Sequence, residues 1–275
     1  MARFNKKAFC MIETRKLTKR FGGHTVVNGL NLKISQGESF ALLGHNGAGK
    51  STIIKMLTTL LPASSGTALI NGFDIKTEAN KVRSVIGYVP QLLSVDGNLT
   101  GKENLLLFAR LYDLPPKECR RRIMESLSFM GLEKSAHQYV KEYSGGMIRR
   151  LEIAQSILHR PKVLFLDEPT AGLDPIACNT VWQHIRQLQQ DFNTTILMTT
   201  HILEEVMRIC DHLAFLSGGR VAITGTPDEV IKSIEKPGAT LEDAFIHYTV
   251  ETLPEDGTHN SRVVSHERET AQTPG

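Results

Sequence analysis

Short apolar runs broken by turn signals open the chain. Over residues 13–43 they are interrupted at Gly22-Gly23 and Gln36-Gly37, a pattern that predicts β-strands joined by tight turns. Over residues 52–60 the period changes. Ile53, Ile54, Met56, Leu57 and Leu60 fall on one side of a helix. Residues 85–89 are a strand that Pro90 halts, because proline biases the residue before it away from the helical region. Thr100-Gly101-Lys102-Glu103 reads as a capping box opening a helix through Leu105, Leu106, Leu107 and Leu111. A helix-rich stretch punctuated by Pro115-Pro116 and Gly131 continues to Leu158. Two nearly continuous apolar strands follow, at 163–166 and 195–199, with a helical stretch at 177–188 between them. Strands apolar on both faces and alternating with helices predict an α/β fold around a largely parallel sheet.

Composition narrows the function more than the fold. The 275 residues are 41% hydrophobic and 22% charged, ordinary for a chain that buries a sizeable core. Lys and Arg number 32 against 29 Asp and Glu, a net +3 too balanced to argue for nucleic acid as a partner. The triplet Arg120-Arg121-Arg122 lacks interleaved aromatics and reads as a solvated helix face. Cys10, Cys119, Cys178 and Cys210 are scattered, with no metal-ligand or redox spacing. No run approaches the roughly eighteen apolar residues of a membrane span, and no apolar segment follows Arg3, Lys6 and Lys7 as a secretory leader requires. The expected organisation is an N-terminal extension at 1–11, one domain at 12–249, and a tail at 250–275. That tail holds only Leu253, Val263 and Val264 as large apolar residues beyond Val250, too few to offset the entropy of ordering it.

The chemistry begins at Gly44-His45-Asn46-Gly47-Ala48-Gly49-Lys50-Ser51, which matches G-x-x-x-x-G-K-[ST] between an apolar strand and a helix beginning near Thr52. Gly44, Gly47 and Gly49 let backbone amides turn towards phosphate oxygens, and Asn46 and Thr52 lie within and just after the loop. Lys50 is expected at the β- and γ-phosphates, and Ser51 at a Mg²⁺ ion. The bare pattern arises by chance in roughly one chain of this length in a hundred, and the strand and helix around it make chance rarer. The strand at 163–166 ends in Asp167 and Glu168. Alone, two such acids serve equally as caps of a following helix. Beside a P-loop, Asp167 suits a water-mediated metal contact and Glu168 the position of general base. Gln91 and His201 also follow strands, so both belong at the carboxyl edge where α/β folds bind ligands.

Taken together, the order of these parts resembles the ATP-binding cassette (ABC) ATPases. P-loop, Gln91, Ser144-Gly145-Gly146, Asp167-Glu168, Ala171-Gly172-Leu173-Asp174 and His201 follow one another as they do in that family, from about Glu13 to Tyr248. The resemblance implies a P-loop NTPase with a mostly parallel core sheet, an N-terminal antiparallel β subdomain and a helical subdomain at about 95–160. It implies ATP and Mg²⁺ as cofactors, with Ser51, Gln91 and Asp167 at the metal and Glu168, His201 and Gln91 in catalysis. Phe21 matches an adenine-stacking aromatic, where Tyr is frequent. The turn Ser144-Gly145-Gly146, with Asp174, is implied to close on ATP held by a second cassette. Tyr143 and Met147 flank that turn where the family usually has Leu and Gln, so no side-chain amide is offered at 147. The tyrosine–methionine version and Leu241-Glu242-Asp243-Ala244-Phe245 resemble the branch that serves drug, lipid or polysaccharide exporters. A separate transmembrane permease and a second cassette are then the partners, nucleic acid is not, and the chain sits on the cytoplasmic face of the membrane. Soluble cassette ATPases of translation or DNA repair usually carry two cassettes or a coiled-coil insertion, and this sequence has neither. A switch GTPase needs an Asn-Lys-x-Asp base reader, which is also missing.

Overall fold

The computed structural model describes residues 9–251. The expected extension and tail lie almost entirely outside the described residues. The chain starts with a long hairpin, β1 (Cys10–Phe21) and β2 (His24–Ser35), turning at Gly22-Gly23. It passes through β3 (Ser39–Leu43), the phosphate loop and α1 (Lys50–Leu57), then returns as β4 (Ser65–Ile70) to pair antiparallel with β1. A two-residue β5 (Phe73–Asp74), α2 (Ala79–Val85) and β6 (Ile86–Val89) follow. The helical region comprises α3 (Gly101–Leu111), α4 (Pro116–Phe129) and α5 (Gly145–Ile157), with 3-10 turns at Glu133–Ser135 and Val140–Glu142. The capping box at Thr100 and Glu103 is present, each side chain accepting the other's backbone amide.

The second half alternates β7 (Val163–Asp167), α6 (Pro175–Phe192), β8 (Thr195–Thr199) and α7 (Leu203–Ile209). It ends in a hairpin, β9 (His212–Ser217) and β10 (Arg220–Gly225), then α8 (Pro227–Lys232), α9 (Leu241–Ile246) and a π-helical turn His247–Glu251. The strands form a four-stranded antiparallel sheet, β2-β1-β4-β5, and a six-stranded sheet, β10-β9-β3-β8-β7-β6. In the larger sheet β10 pairs antiparallel and the other pairings are parallel.

Alternation along the core strands divides the interior into two cores. Ala41, Leu43, Leu164 and Leu166 face the helical side, while Phe40, Leu42, Val163 and Phe165 face α1 and the antiparallel sheet. All five residues of β3, β7 and β8 are buried, the mark of strands covered on both faces. Their register aligns the carboxyl ends, with Leu42 opposite Thr199 and Asp167 opposite Thr199 on the other side. The first residues beyond those ends therefore share one edge. Two local expectations shift. The helix at 52–60 already starts at Lys50 and ends at Leu57, and Val85 closes α2 rather than opening β6. Arg122 is not a solvated side chain, since it pairs with Glu118 at 2.8 Å and donates to the Leu158 carbonyl at 3.2 Å, tying α4 to α5.

Candidate functional site

The phosphate loop bridges β3 and α1 without a side-chain cap. Gly49 stands at the N-cap with φ +98°, and a Cβ there would sit 2.9 Å from the Val26 carbonyl, so only glycine lets the loop pass. The first amides of α1 are thus left for an anion. Lys50 is nearly buried, and its ammonium donates to the carbonyls of Gly44 at 2.7 Å and His45 at 3.2 Å. Burial pushes its pKa down, against the pull of Glu168 and Asp167, which favour the charged form.

Asp167 ends β7 at 2% exposure, and its Oδ1 accepts from the hydroxyls of Ser51 at 3.1 Å and Thr199 at 2.5 Å. Glu168 leaves the strand with φ +50°, an uncommon conformation for a side-chain residue, and its amide is shared between the carbonyl and hydroxyl of Thr199. That turn swings its carboxylate outward. Gln91 Nε2 donates to Glu168 Oε2 at 3.1 Å, and His201 Nδ1 lies 3.5 Å from Glu168 Oε1. Neither acid caps the next helix, because Asp174 does so by accepting from the amides of Ile176 and Ala177.

A cavity of about 780 Å³ opens at this edge. Gly44, Asn46, Gly47, Gly49, Lys50, Ser51 and Thr52 line one wall. Gln91, Glu168 and His201 line the other, and Asp167 stands behind Ser51. A second cavity of about 310 Å³ adjoins it, sharing Val26, His45, Asn46 and Gly47 and reaching His24 and Gly218. Phe21 lines neither. It is half exposed at the tip of β1, paired with His24, with the Lys19 ammonium 4.9 Å from its ring centre.

Ser144, Gly145, Gly146 and Asp174 also stay away from the cavity walls. Ser144 caps α5, its Oγ accepting from the Met147 amide at 3.3 Å. The turn packs on the loop before α6: a Cβ on Gly145 would lie 3.4 Å from Leu173, and one on Gly146 only 2.7 Å from the Ala177 methyl. The expected residues therefore fall into two groups, one closed around the phosphate loop and one on an exposed seam between α5 and α6.

Three contributors escape sequence reasoning. Thr199 holds Asp167 from the neighbouring strand. Phe245 lines the cavity beside His45, ring centres 5.0 Å apart, and Thr249 Oγ1 contacts His45 Nε2 at 3.0 Å. The only signal for Thr199 is its place at the end of an apolar strand. None exists for a contact spanning 204 residues.

Comparison with known proteins places the chain among relatives of one family. The family described as ABC transporter matches residues 27–171. The chain is 41% identical over 221 residues to the Nod factor export ATP-binding protein I of Ralstonia nicotianae, covering 80% of this chain and 68% of that one. It is 44% identical over 223 residues to the daunorubicin/doxorubicin resistance ATP-binding protein DrrA of Streptomyces peucetius, covering 81% and 67%. A solved dimer of the ATP-binding cassette MJ0796, in a post-hydrolysis state with ADP and Pi, matches with TM-score 0.70 at 26% identity over 78% of this chain and 98% of that one. Among the described residues no helix is long and apolar enough to cross a membrane.

Proposed function

The chain belongs to the ABC transporter family, and on that premise we propose that it is the ATP-hydrolysing motor of an exporter, paired with a second cassette and coupled to a separate membrane permease. One observation carries the reading. Gln91, Glu168 and His201, from three strand ends, meet across the cavity from Lys50 and Ser51.

A triphosphate entering the loop takes over the Lys50 ammonium from the carbonyls of Gly44 and His45, while the amides of Gly47 and Gly49 and of the first turn of α1 donate to its oxygens. Mg²⁺ fits the donor set, since Ser51 and Asp167 put a hydroxyl and a buried carboxylate together and Gln91 adds an amide oxygen, all hard oxygen ligands. When bound there, the cation would neutralise charge on the phosphate oxygens. Glu168 takes the proton of the attacking water. Gln91 holds one of its oxygens and His201 stands at the other, which fixes the carboxylate on the cavity side. Phe21, beside the smaller cavity, is the stacking ring for the base.

The turn at Ser144, with Gly145, Gly146 and Asp174, completes the site of the partner cassette. The amides of Gly145 and Gly146, first in α5, have no acceptor within the helix, a donor set for the γ-phosphate of another chain. The γ-phosphate then gains donors from two chains only when they close, so binding favours the closed pair and hydrolysis releases it. Leu92 and Leu93 beyond Gln91, and Leu107 and Leu111 one turn apart on α3, are exposed apolar residues for a permease to cover on the cytoplasmic face.

Glu168→Gln tests the reading directly. With ATP and Mg²⁺, phosphate release is expected to fall by a factor of about 10²–10⁴ while nucleotide stays bound and the chains pair. Undiminished release removes Glu168 from the mechanism.

A further inference from the structure

The loop after β6 is bolted to α5 by a buried ion pair. Arg149 and Glu152, 5% and 0% exposed at their side chains, meet at 3.0 Å. Arg149 also donates to backbone carbonyls of the loop, through Nη1 to Pro90 at 2.8 Å and through Nη2 to Gln91 at 3.4 Å. The second oxygen of Glu152 accepts from the amide of Ser94 at 2.6 Å and from its hydroxyl at 3.0 Å. Both ends of Gln91-Leu92-Leu93-Ser94 are therefore held, while Leu92 and Leu93 stand 82% and 65% exposed between them.

Such a pair is a poor way to gain stability. Burial pushes the Glu152 carboxyl up, and the Arg149 charge and the Ser94 hydrogen bonds only partly oppose it. Two apolar side chains of similar volume serve a core as well or better. What the charges add is direction: four hydrogen bonds that specify where the loop runs against the helix. Gln91 thereby has two ends, its side chain on Glu168 and its carbonyl on Arg149. The same helix begins at Ser144, about 7 Å of helix from Arg149.

We propose that Arg149 and Glu152 are positioning residues that join the Gln91 loop and the Ser144 turn into one rigid unit, so that the state of this chain's own phosphate site sets the turn it offers to the partner cassette. The inference rests on the paired-cassette reading above. Without the clamp, nucleotide still binds but the two halves of the site no longer close together.

The test uses the full chain with three readouts: melting temperature, binding of fluorescent MANT-ATP, and phosphate release. Arg149→Met with Glu152→Met removes both charges at similar volume. Turnover is expected to drop about tenfold with affinity and melting temperature nearly unchanged. Wild-type turnover in this variant overturns the inference, as does a fall in affinity and melting temperature that matches the fall in rate. Should the double variant not fold, Ser94→Ala and Arg149→Lys each remove part of the clamp, and each is expected to lower turnover about threefold at unchanged affinity. Full turnover in both overturns the inference. Glu168→Gln in the same assay separates the two ideas. Release that survives it sinks the hydrolytic reading together with this one; release that it abolishes, beside a clamp variant at full rate, sinks this one alone.

Discussion

Around the phosphate loop, side chains from three strand ends and from α1 contact one another, so that Asp167, Ser51 and Thr199 form one hydrogen-bonded cluster and Gln91, Glu168 and His201 another. At the seam of α5 and α6 the corresponding side chains look inward to their own helices. Ser144 caps α5 and Asp174 caps α6, and both residues stay exposed beside Gly145. One group is thus joined side chain to side chain within the chain, while the other is an exposed surface that the proposed pairing assigns to a partner's nucleotide. Rigidity arises differently in each. Buried charges and hydroxyls pin the first, whereas helix caps and a close glycine contact pin the second.

The sharpest way to break this contrast is Ser144→Arg. Placing a long cation at the turn is expected to lower phosphate release at least about a hundredfold, the scale of losing donors at a transition-state anion, while MANT-ATP binding to the isolated chain stays unchanged. Equal loss of binding shows instead that the turn serves its own chain's nucleotide. Next is Gly146→Ala. The new methyl meets Ala177 at 2.7 Å, so α5 and α6 must part, and urea unfolding is expected to show a loss of about 1–3 kcal/mol despite the better helix propensity of alanine. Asp174→Ala is milder. It removes the cap of α6 and is expected to cost about 1 kcal/mol in the same measurement, with any larger loss of turnover reporting the residue's part across the pair.

The smallest effect lies away from both regions, at the far end of α5. His159 stacks on Tyr112 at 3.8 Å and donates from Nε2 to the Ile86 carbonyl at 2.8 Å. Burial pushes its pKa below the ordinary 6.5, so the unfolded chain takes up a proton at a pH where the folded one does not. Stability is therefore present above pH 6.5 and declines as pH falls from there towards the lower folded value. His159→Gln is expected to flatten that slope in part, since burial also lowers the pKa of His184.

Much of the fold could be read before any coordinates. The hairpin turn at Gly22-Gly23, the capping box at Thr100 and the buried strands β7 and β8 rest on near neighbours in sequence, where period and turn chemistry decide. The strands β4, β5, β9 and β10 and the helices α2, α7, α8 and α9 were not legible in that way. Strand β4 opens on Ser65, Gly66 and Thr67, buries only Ala68 and Ile70, and owes its place to pairing with β1, while β10 is defined by antiparallel pairing with β9. For the site, Gly44 to Thr52, Gln91, Asp167, Glu168 and His201 could be named from their place after strands, and they do meet at one edge. That Glu168 turns out with positive φ to meet Gln91 and His201 could not.

By itself the sequence marked a candidate phosphate loop, because such a loop needs glycines and a lysine at set spacing, and the buried strands, because these need an unbroken apolar run. The tertiary structure alone decided which of the candidate residues share a cavity and which lie on an open seam. Thr199 behind Asp167, Thr249 on His45 and Arg149 on the Gln91 loop are contacts between segments far apart in the chain. Their cause is the parallel order of the strands and the packing of α5 on the sheet. Local propensity is set within a few residues, whereas a hydrogen bond across 32, 58 or 204 of them exists only once the whole core has closed.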